Sequence, residues 1–313
     1  MTMVNLPVLI VGFNRPDLLQ NLLVRLYDLN VNNIYISLDG PRNEVDFKNC
    51  NDCLKVAQSF STKFNIQIIS RSYNLGCNLG VVSALDWFFS QVEFGVVIED
   101  DCYPDNDLLK YFEKFKQSKQ FYQDQKVFIA SAHNPFIRMN KDSISKHALI
   151  GAWATWAEVW NTIRLNYFKI DMPVIKNSLD EKRNWRESIY WWVNSTRAKL
   201  GYLDTWDGIF SDKAWRYGFK CLIPADNLVT NFGFRQDGTH TKNSIETNLI
   251  RLNNDTYIDT NIDDLLVKHY FRIRIFHSVT PVIRLLIEFL KFRSRKHFDD
   301  LLNNDKINRI HFR

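Results

Sequence analysis

The segment FGVVIEDDCYPD, residues 94–105, drives an apolar run directly into three consecutive acids, Glu99, Asp100 and Asp101. Val96, Val97 and Ile98 have the β-branched character of a strand buried on both faces. Carboxylates so close together repel one another. The arrangement therefore needs a compensating cation, a helix N-terminus or open solvent. Which of the three applies depends on what else the chain brings to this strand end.

Reading outward, the same alternation repeats on the N-terminal side. PVLIVGF (residues 7–13) predicts a buried strand, and Asn14-Arg15-Pro16-Asp17 predicts a helix start, with Pro in the first turn and Asp at the positive end of the dipole. Leu18, Leu19, Leu22, Leu23 and Leu26 give that helix one apolar face. IYISLDG follows as a strand ending on Asp39, then a polar helix over about 46–60, then the strand FNIQIIS. NLGCNLG leads from that strand into the helix VVSALDWFFSQV. After the acids, Asp105 or Asp107 is positioned to cap a helix over LLKYFEKFKQ. Strand–helix alternation at this spacing predicts βαβ units and a mostly parallel sheet, with ligands beyond the carboxyl ends of the strands. Three strands end there on polar residues: Arg15 with Asn14, Asp39, and the acid triplet. Neither a Gly-x-Gly-x-x-Gly nor a Walker loop is present, which argues against dinucleotide and ATP sites of those kinds.

Composition sets the class. The 313 residues are 45% hydrophobic and 24% charged, as in an ordinary globular protein. Aromatics reach 14%, suited to flat partners such as sugar rings or bases as well as to a core. The five cysteines are odd in number and lack framework spacing, so a disulfide-stapled fold is not expected; the single C-x-x-C at Cys50 and Cys53 lacks the second pair of a zinc site. The N-terminal MTMVNLPVLIVGF reads as a first strand, not a signal peptide, and points to a cytoplasmic setting. Most of the nine Trp fall between Trp153 and Trp215. Trp153, Trp156 and Trp160 recur at helical spacing and predict core positions on one helix.

For the acid triplet three interpretations stay open on residues alone. It could be a solvated strand end, a magnesium site for phosphotransfer, or the holder of a divalent cation that bridges a nucleoside diphosphate. Carboxylate oxygens suit Mg²⁺ or Mn²⁺. Phosphotransfer of that kind wants an Asp nucleophile on the first strand, where Phe13-Asn14 stands.

Five segments in order, PVLIVGFNR, ISLDG, NLGCNLG, VVIEDDCYPD and the later GAWATWAEVW–TWDGIF–PADNLVTNFGFRQDGTHT series, resemble GT-A fold glycosyltransferases. The likeness is to the inverting N-acetylglucosaminyltransferase I-like group and to related bacterial sugar transferases, over roughly residues 5–242. The resemblance implies an α/β GT-A catalytic domain; no Gly-, Ser- or Pro-rich linker precedes about residue 245, so 1–245 reads as that one unit, and 246–313, which has no counterpart in the family, reads as a basic amphipathic helical extension with 266–302 as its helical part. It implies that Asp101 ligates Mn²⁺ or Mg²⁺, with Asp100 and Glu99 toward the ribose and base. By the same likeness Asp39 contacts uracil, Arg15 approaches the nucleotide and Asp207 is the catalytic base. Trp206 would wall a sugar, and Thr239 and His240 would lie in a loop over the diphosphate, His240 also as a metal ligand. Phe13, Asn14 and Gly208 depart from the family pattern and leave base and acceptor specificity open.

The chemistry is coherent on physical grounds. A cation neutralises the leaving diphosphate. One carboxylate takes the acceptor's proton from the opposite face, so it must come from a different segment, as Asp207 does. Plain structural roles stand beside these: Asp207 as an N-cap, Arg15 as a surface cation, Asp39 as a turn residue, His240 as a loop histidine. The segment VIRLLIEFLKFRSRKHF sets Val282, Leu285, Leu286, Phe289 and Leu290 against Arg284, Lys291, Arg293, Arg295 and Lys296. Such a helix suits an anionic membrane surface, or packing on the catalytic domain. The expected partners are a nucleotide-sugar donor, a glycan or lipid-linked glycan acceptor and, through the tail, the inner face of the cytoplasmic membrane. Nucleic acid is not expected, because basic residues concentrate in the tail. The rival from another class is a non-catalytic sugar- or nucleotide-binding module on the same fold.

Overall fold

The computed structural model describes residues 5–136, 139–171, 185–233 and 262–266. The N-terminal half has the predicted alternation: β1 (Val8–Gly12), α1 (Pro16–Asp28), β2 (Asn33–Leu38), α2 (Glu44–Ser59), β3 (Asn65–Ser70), α3 (Gly76–Phe89) and β4 (Phe94–Glu99). A short β5 (Cys102–Pro104) and the helices α4 (Leu108–Gln117) and α5 (Lys119–Gln123) come next. The second half comprises β6 (Val127–Ser131), β7 (Ser143–Ser145), β8 (Ala152–Trp156), α6 (Ala157–Leu165), α7 (Trp185–Lys199), α8 (Asp207–Arg216), β9 (Lys220–Ile223) and β10 (Val229–Asn231). A last short helix, α9, spans Ile262–Leu265.

Eight strands form one sheet in the order β3-β2-β1-β4-β8-β6-β9-β7, and β10 pairs with β5 in a separate two-stranded ribbon. The half from β3 to β4 is parallel, as expected. The other half is mixed: β8 runs antiparallel to both β4 and β6, β6 is parallel to β9, and β7 is antiparallel to β9. The sheet is therefore less parallel than the sequence pattern predicts.

The Trp spacing misled for a related reason. Trp153 and Trp156 lie on β8 and only Trp160 lies on α6. All five β8 residues are buried, since the strand is central and covered on both faces, so it shows no period-2 alternation to mark it. The expectation that these Trp are core holds: Trp153 and Trp160 are fully buried and Trp156 nearly so.

Helix α1, which lies against α2 and β5, buries Leu18, Leu19, Leu22, Leu23 and Leu26, each worth roughly 2 kcal/mol by area removed from water. Pro16 opens this helix and Asp17 lies in its first turn. Asp107 occupies the cap position of α4 without a side-chain capping bond; the carboxylate of Asp105 instead accepts from the Asp107 amide at 3.2 Å. The short helix α9 lies against β7, with Ile262 and Leu266 buried and Asp263 accepting from the Ser145 hydroxyl at 2.6 Å. The basic helix expected over 266–302 lies outside the described residues apart from Leu266. Among the described residues no helix is long and apolar enough to cross a membrane.

Candidate active site

The carboxyl ends of β1, β2, β3 and β4 open onto a cavity of about 330 Å³. Its walls include Phe13 and Arg15 after β1, Asp39 after β2, Arg71 and Asn74 after β3, and Glu99, Asp100 and Asp101 at the end of β4. Trp206 and Asp204 close it from the loop before α8. Ligands bind at this edge in open α/β sheets.

The repulsion within the acid triplet is partly relieved inside the chain. Arg15 lies between the two aspartates. Its Nη1 donates to Asp101 Oδ2 at 2.9 Å and its Nη2 donates to Asp100 Oδ1. Burial alone would depress the Arg15 guanidinium, but Asp100 and then Asp101 outweigh it and hold it above its usual value. One guanidinium does not balance three acids, however. Among the described residues Asp100 Oδ2, buried, meets no hydrogen-bond donor. Glu99 faces the cavity, and burial together with repulsion from Asp101, Asp207 and Asp100 pushes its carboxyl up to about 8. Burial raises Asp100 to about 6, against the pull of Arg15.

Asp39 is of the same residue type but in another state. Its Oδ1 accepts from the Gly40 and Leu75 amides, each at 2.9 Å, and its Oδ2 accepts from Asn74 Nδ2 at 2.9 Å, Gly76 N at 3.0 Å and Leu75 N at 3.2 Å. Burial raises its pKa while these amides pull it down. The carboxylate pins the segment before α3 to the end of β2, and both oxygens are fully engaged.

Asp204 and Asp207 divide in the same way. Asp204 accepts from the Cys77 and Asn78 amides at 2.9 Å each, capping α3 from a remote loop. Gly76 is in the left-handed region, φ +81°, and a side chain there would meet Asp204 Oδ2 at 2.6 Å. Asp207 is the first residue of α8, not its cap; Trp206 holds the cap position. The Asp207 carboxylate is exposed and accepts a hydrogen bond from the Thr205 hydroxyl. The aromatic ring belongs beneath it: Trp206 is 3% exposed and stacks on Trp153 at 5.9 Å, touching the cavity from within the core. Tyr167 ties this loop down, its hydroxyl donating to the Trp206 carbonyl at 3.0 Å and meeting Asn78 Oδ1 at 3.2 Å.

The segment just past β10 completes the acid end. Phe232 N donates to the Asp101 carbonyl at 2.7 Å, and a side chain at Gly233 would collide with Asp101 Oδ2 at 2.2 Å. Only glycine permits that approach. Thr239 and His240 lie outside the described residues.

The structure thus brings together Arg15, Asp39, Glu99, Asp100, Asp101 and Trp206 around one cavity, with Asp207 close enough to oppose ionisation of Glu99. Sequence reasoning missed Asp204, Arg71, Asn74 and Arg42. Asp204 carries no motif beyond its closeness to TWD; Arg71 and Asn74 lie at or beside the NLG segment and were open to the same strand-end logic that selected Asp39.

Whether these residues suit a divalent cation can be tested on the donor set. Hard carboxylate oxygens suit Mg²⁺ or Mn²⁺. The unpartnered Asp100 Oδ2 and the Glu99 carboxylate lie next to Asp101, whose Oδ1 accepts only a long bond from the Cys102 thiol at 3.5 Å. Among the described residues no three His, Cys, Asp or Glu side chains already converge on one point. The oxygens fit in chemical type and charge, with Arg15 as the resident counter-ion.

No protein-family model matches the chain, and no curated protein matches it by sequence. Several solved structures match in shape. One is a chain from Bacillus anthracis assigned as a glucose-1-phosphate thymidylyltransferase, 13% identical, covering 60% of this chain and 83% of that one at a TM-score of 0.32. A second is the WbbM bifunctional glycosyltransferase, 10% identical, covering 70% of this chain and 45% of that one at 0.32. A third is an apo UDP-glucose pyrophosphorylase, 9% identical, covering 72% and 93% at 0.33. These neighbours are enzymes of nucleotide-sugar chemistry. At such scores the likeness assigns no chemistry to this chain.

Proposed function

We propose that this chain is a divalent-cation-dependent, inverting glycosyltransferase that moves a sugar from a nucleoside-diphosphate sugar to a hydroxyl of a glycan acceptor. One observation carries the proposal. Among the described residues lining the cavity, the carboxylates of Asp39, Asp100, Asp101 and Asp204, beside a Glu99 held largely neutral, face Arg15, Arg42 and Arg71. Arg42 is moreover already bound to Asp46. A cavity with that excess of negative charge repels a diphosphate unless a divalent cation enters with it.

Asp101 and Glu99 are the residues to hold that cation, with Asp100 kept in place by Arg15. The cation would neutralise charge on the leaving diphosphate. Asp207 is the base: exposed, bound among the described residues only to the Thr205 hydroxyl, and placed on a different element from the acids. It removes the proton of the acceptor hydroxyl as that oxygen bonds to the anomeric carbon and the carbon–oxygen bond to the diphosphate breaks. The sugar is transferred with inverted configuration. His240 and Thr239 close over the diphosphate in this proposal, and the basic tail sets the enzyme against an anionic membrane that bears a lipid-linked acceptor. A nucleotidyltransferase is less well supported. The segment GFNRPD after β1 has a single cation, Arg15, and that is bound to the acids.

The test is a thermal-shift screen against nucleotide sugars with Mn²⁺ or chelator, then a transfer assay with the hit. A ligand at 100 times its Kd stabilises by about 2.7 kcal/mol. Metal-dependent stabilisation and transfer that vanishes in Asp207→Asn support the proposal. Stabilisation without any transfer would favour the binding-module alternative.

A further inference from the structure

We infer that Arg15 and a divalent cation compete for Asp101, so that the site takes up its cation well only when a diphosphate arrives with it. This rests on the proposed donor site and names the residue that governs how that site is loaded.

Three arginines line the cavity, and they are committed differently. Arg42 is paired with Asp46, Nε to Oδ2 at 2.6 Å, and Arg71 donates to the Ser37 and Ser83 hydroxyls at 2.8 and 2.7 Å. Arg15 alone reaches the triplet: among the described residues it is the one cation paired with Asp100 or Asp101. The Asp101 carboxylate has weak company otherwise. Its Oδ2 accepts from Arg15 Nη1 at 2.9 Å, and its Oδ1 has the Cys102 thiol at 3.5 Å, a poor donor that burial keeps protonated.

The two arms of the Arg15 fork end at different depths. The Asp100 side chain is 2% exposed and the Asp101 side chain 11%. Nη2 is thus anchored in the interior, while Nη1 holds the carboxylate nearer the cavity. A cation on Asp101 would stand within roughly 5 Å of the guanidinium, from ordinary coordination and hydrogen-bond lengths. Like charges that close repel, so cation and guanidinium weaken one another's hold on Asp101. The Arg15 backbone is pinned: Pro16 follows it, and Leu19 N donates to its carbonyl at 3.1 Å in the first turn of α1. Side-chain rotation, releasing Nη1 while Nη2 stays on Asp100, is the movement left to it.

A guanidinium that has lost one carboxylate needs another anion, and diphosphate oxygens suit its fork. A cation arriving alone breaks the Arg15–Asp101 pair without replacement. A cation arriving with a diphosphate replaces it. The two ligands therefore strengthen each other's binding, by the same factor in both directions.

The experiment is titration of the full chain with Mn²⁺, the free ion followed by electron paramagnetic resonance, first alone and then with saturating UDP. Wild type should bind Mn²⁺ alone roughly tenfold or more weakly than Arg15→Gln, in which no charge-assisted hydrogen bond has to be broken. Arg15→Lys, a charge without the fork, should fall between them, and it decides the matter if Arg15→Gln does not fold. Arg42→Gln is the control for net charge: it also strips one acid of its partner, but that acid is Asp46, and Mn²⁺ affinity should stay near that of wild type. The gain brought by UDP should be larger in wild type than in either Arg15 variant, association of Mn²⁺ with UDP in solution being common to all. Mn²⁺ affinity no higher in the Arg15 variants than in wild type, or raised as much by Arg42→Gln, overturns the inference while leaving the donor site standing. No Mn²⁺ bound by any of the proteins, with or without UDP, overturns both.

Discussion

Two ends of one cavity hold carboxylates in opposite conditions. At the β2 end, Asp39 accepts five hydrogen bonds and holds the segment before α3 in place. At the β4 end, three acids share one arginine, one of their oxygens is buried with no partner, and Glu99 is driven toward the neutral form. Asp204 and Asp207 repeat the contrast, the first capping a helix and the second bound, among the described residues, only to a threonine hydroxyl. The difference separates a structural acid from a chemical one. The count of uncommitted lone pairs decides, and residue type and position at a strand end do not.

Substitutions put this division to the test. Asp207→Asn should lower transfer by roughly 10²–10⁴-fold while leaving nucleotide-sugar binding intact, measured as kcat beside a binding isotherm. Equal loss of binding would place Asp207 in the donor site instead. Asp39→Asn should act mainly on the fold, because it turns an amide donor toward buried N–H groups. A cost of about 2 kcal/mol, with a fall of several degrees in Tm, is expected. Asp204→Ala should cost about 1 kcal/mol as a lost helix cap, with a reduction in kcat through the loosened loop before α8. Should Asp204→Ala abolish transfer as fully as Asp207→Asn, the division between the two would fail.

Glu99→Gln gives an effect whose sign, set by pH, is diagnostic. The Glu99 carboxyl rises from an ordinary 4.5 to about 8 in the fold. Between those values the unfolded chain has released this proton and the folded chain has not, so the wild type loses stability as pH rises through the window. Glutamine removes that dependence. The variant should therefore gain in Tm relative to wild type as pH climbs from about 4.5 to about 8, with no further gain beyond. A pH-independent difference would show that Glu99 is compensated by some other group.

Much of this was legible in the chain. The apolar strands with polar ends marked the parallel half of the sheet and its ligand edge, since β-branched runs and helix-start signals are local. The acid triplet announced its own repulsion. What escaped was non-local. Nothing near Arg15 says that its fork closes on residues 85 and 86 positions away, and nothing near Asp204 marks it as the cap of α3. The central strand β8 hid its nature because burial on both faces erases periodicity. Asp39 shows the limit in the other direction: its place at a strand end suggested ligand contact, and only the geometry of the following loop reveals both oxygens engaged.

If the acid excess at the β4 end admits a nucleotide sugar only together with a divalent cation, binding and metal must rise and fall as one. Calorimetric titration of the wild-type protein and Asp101→Asn with a nucleotide sugar, in Mn²⁺ and in chelator, tests this directly. Saturable binding by the wild type in Mn²⁺ is expected, with none in chelator and none by the variant in either condition. Binding of equal strength with and without the metal would contradict it.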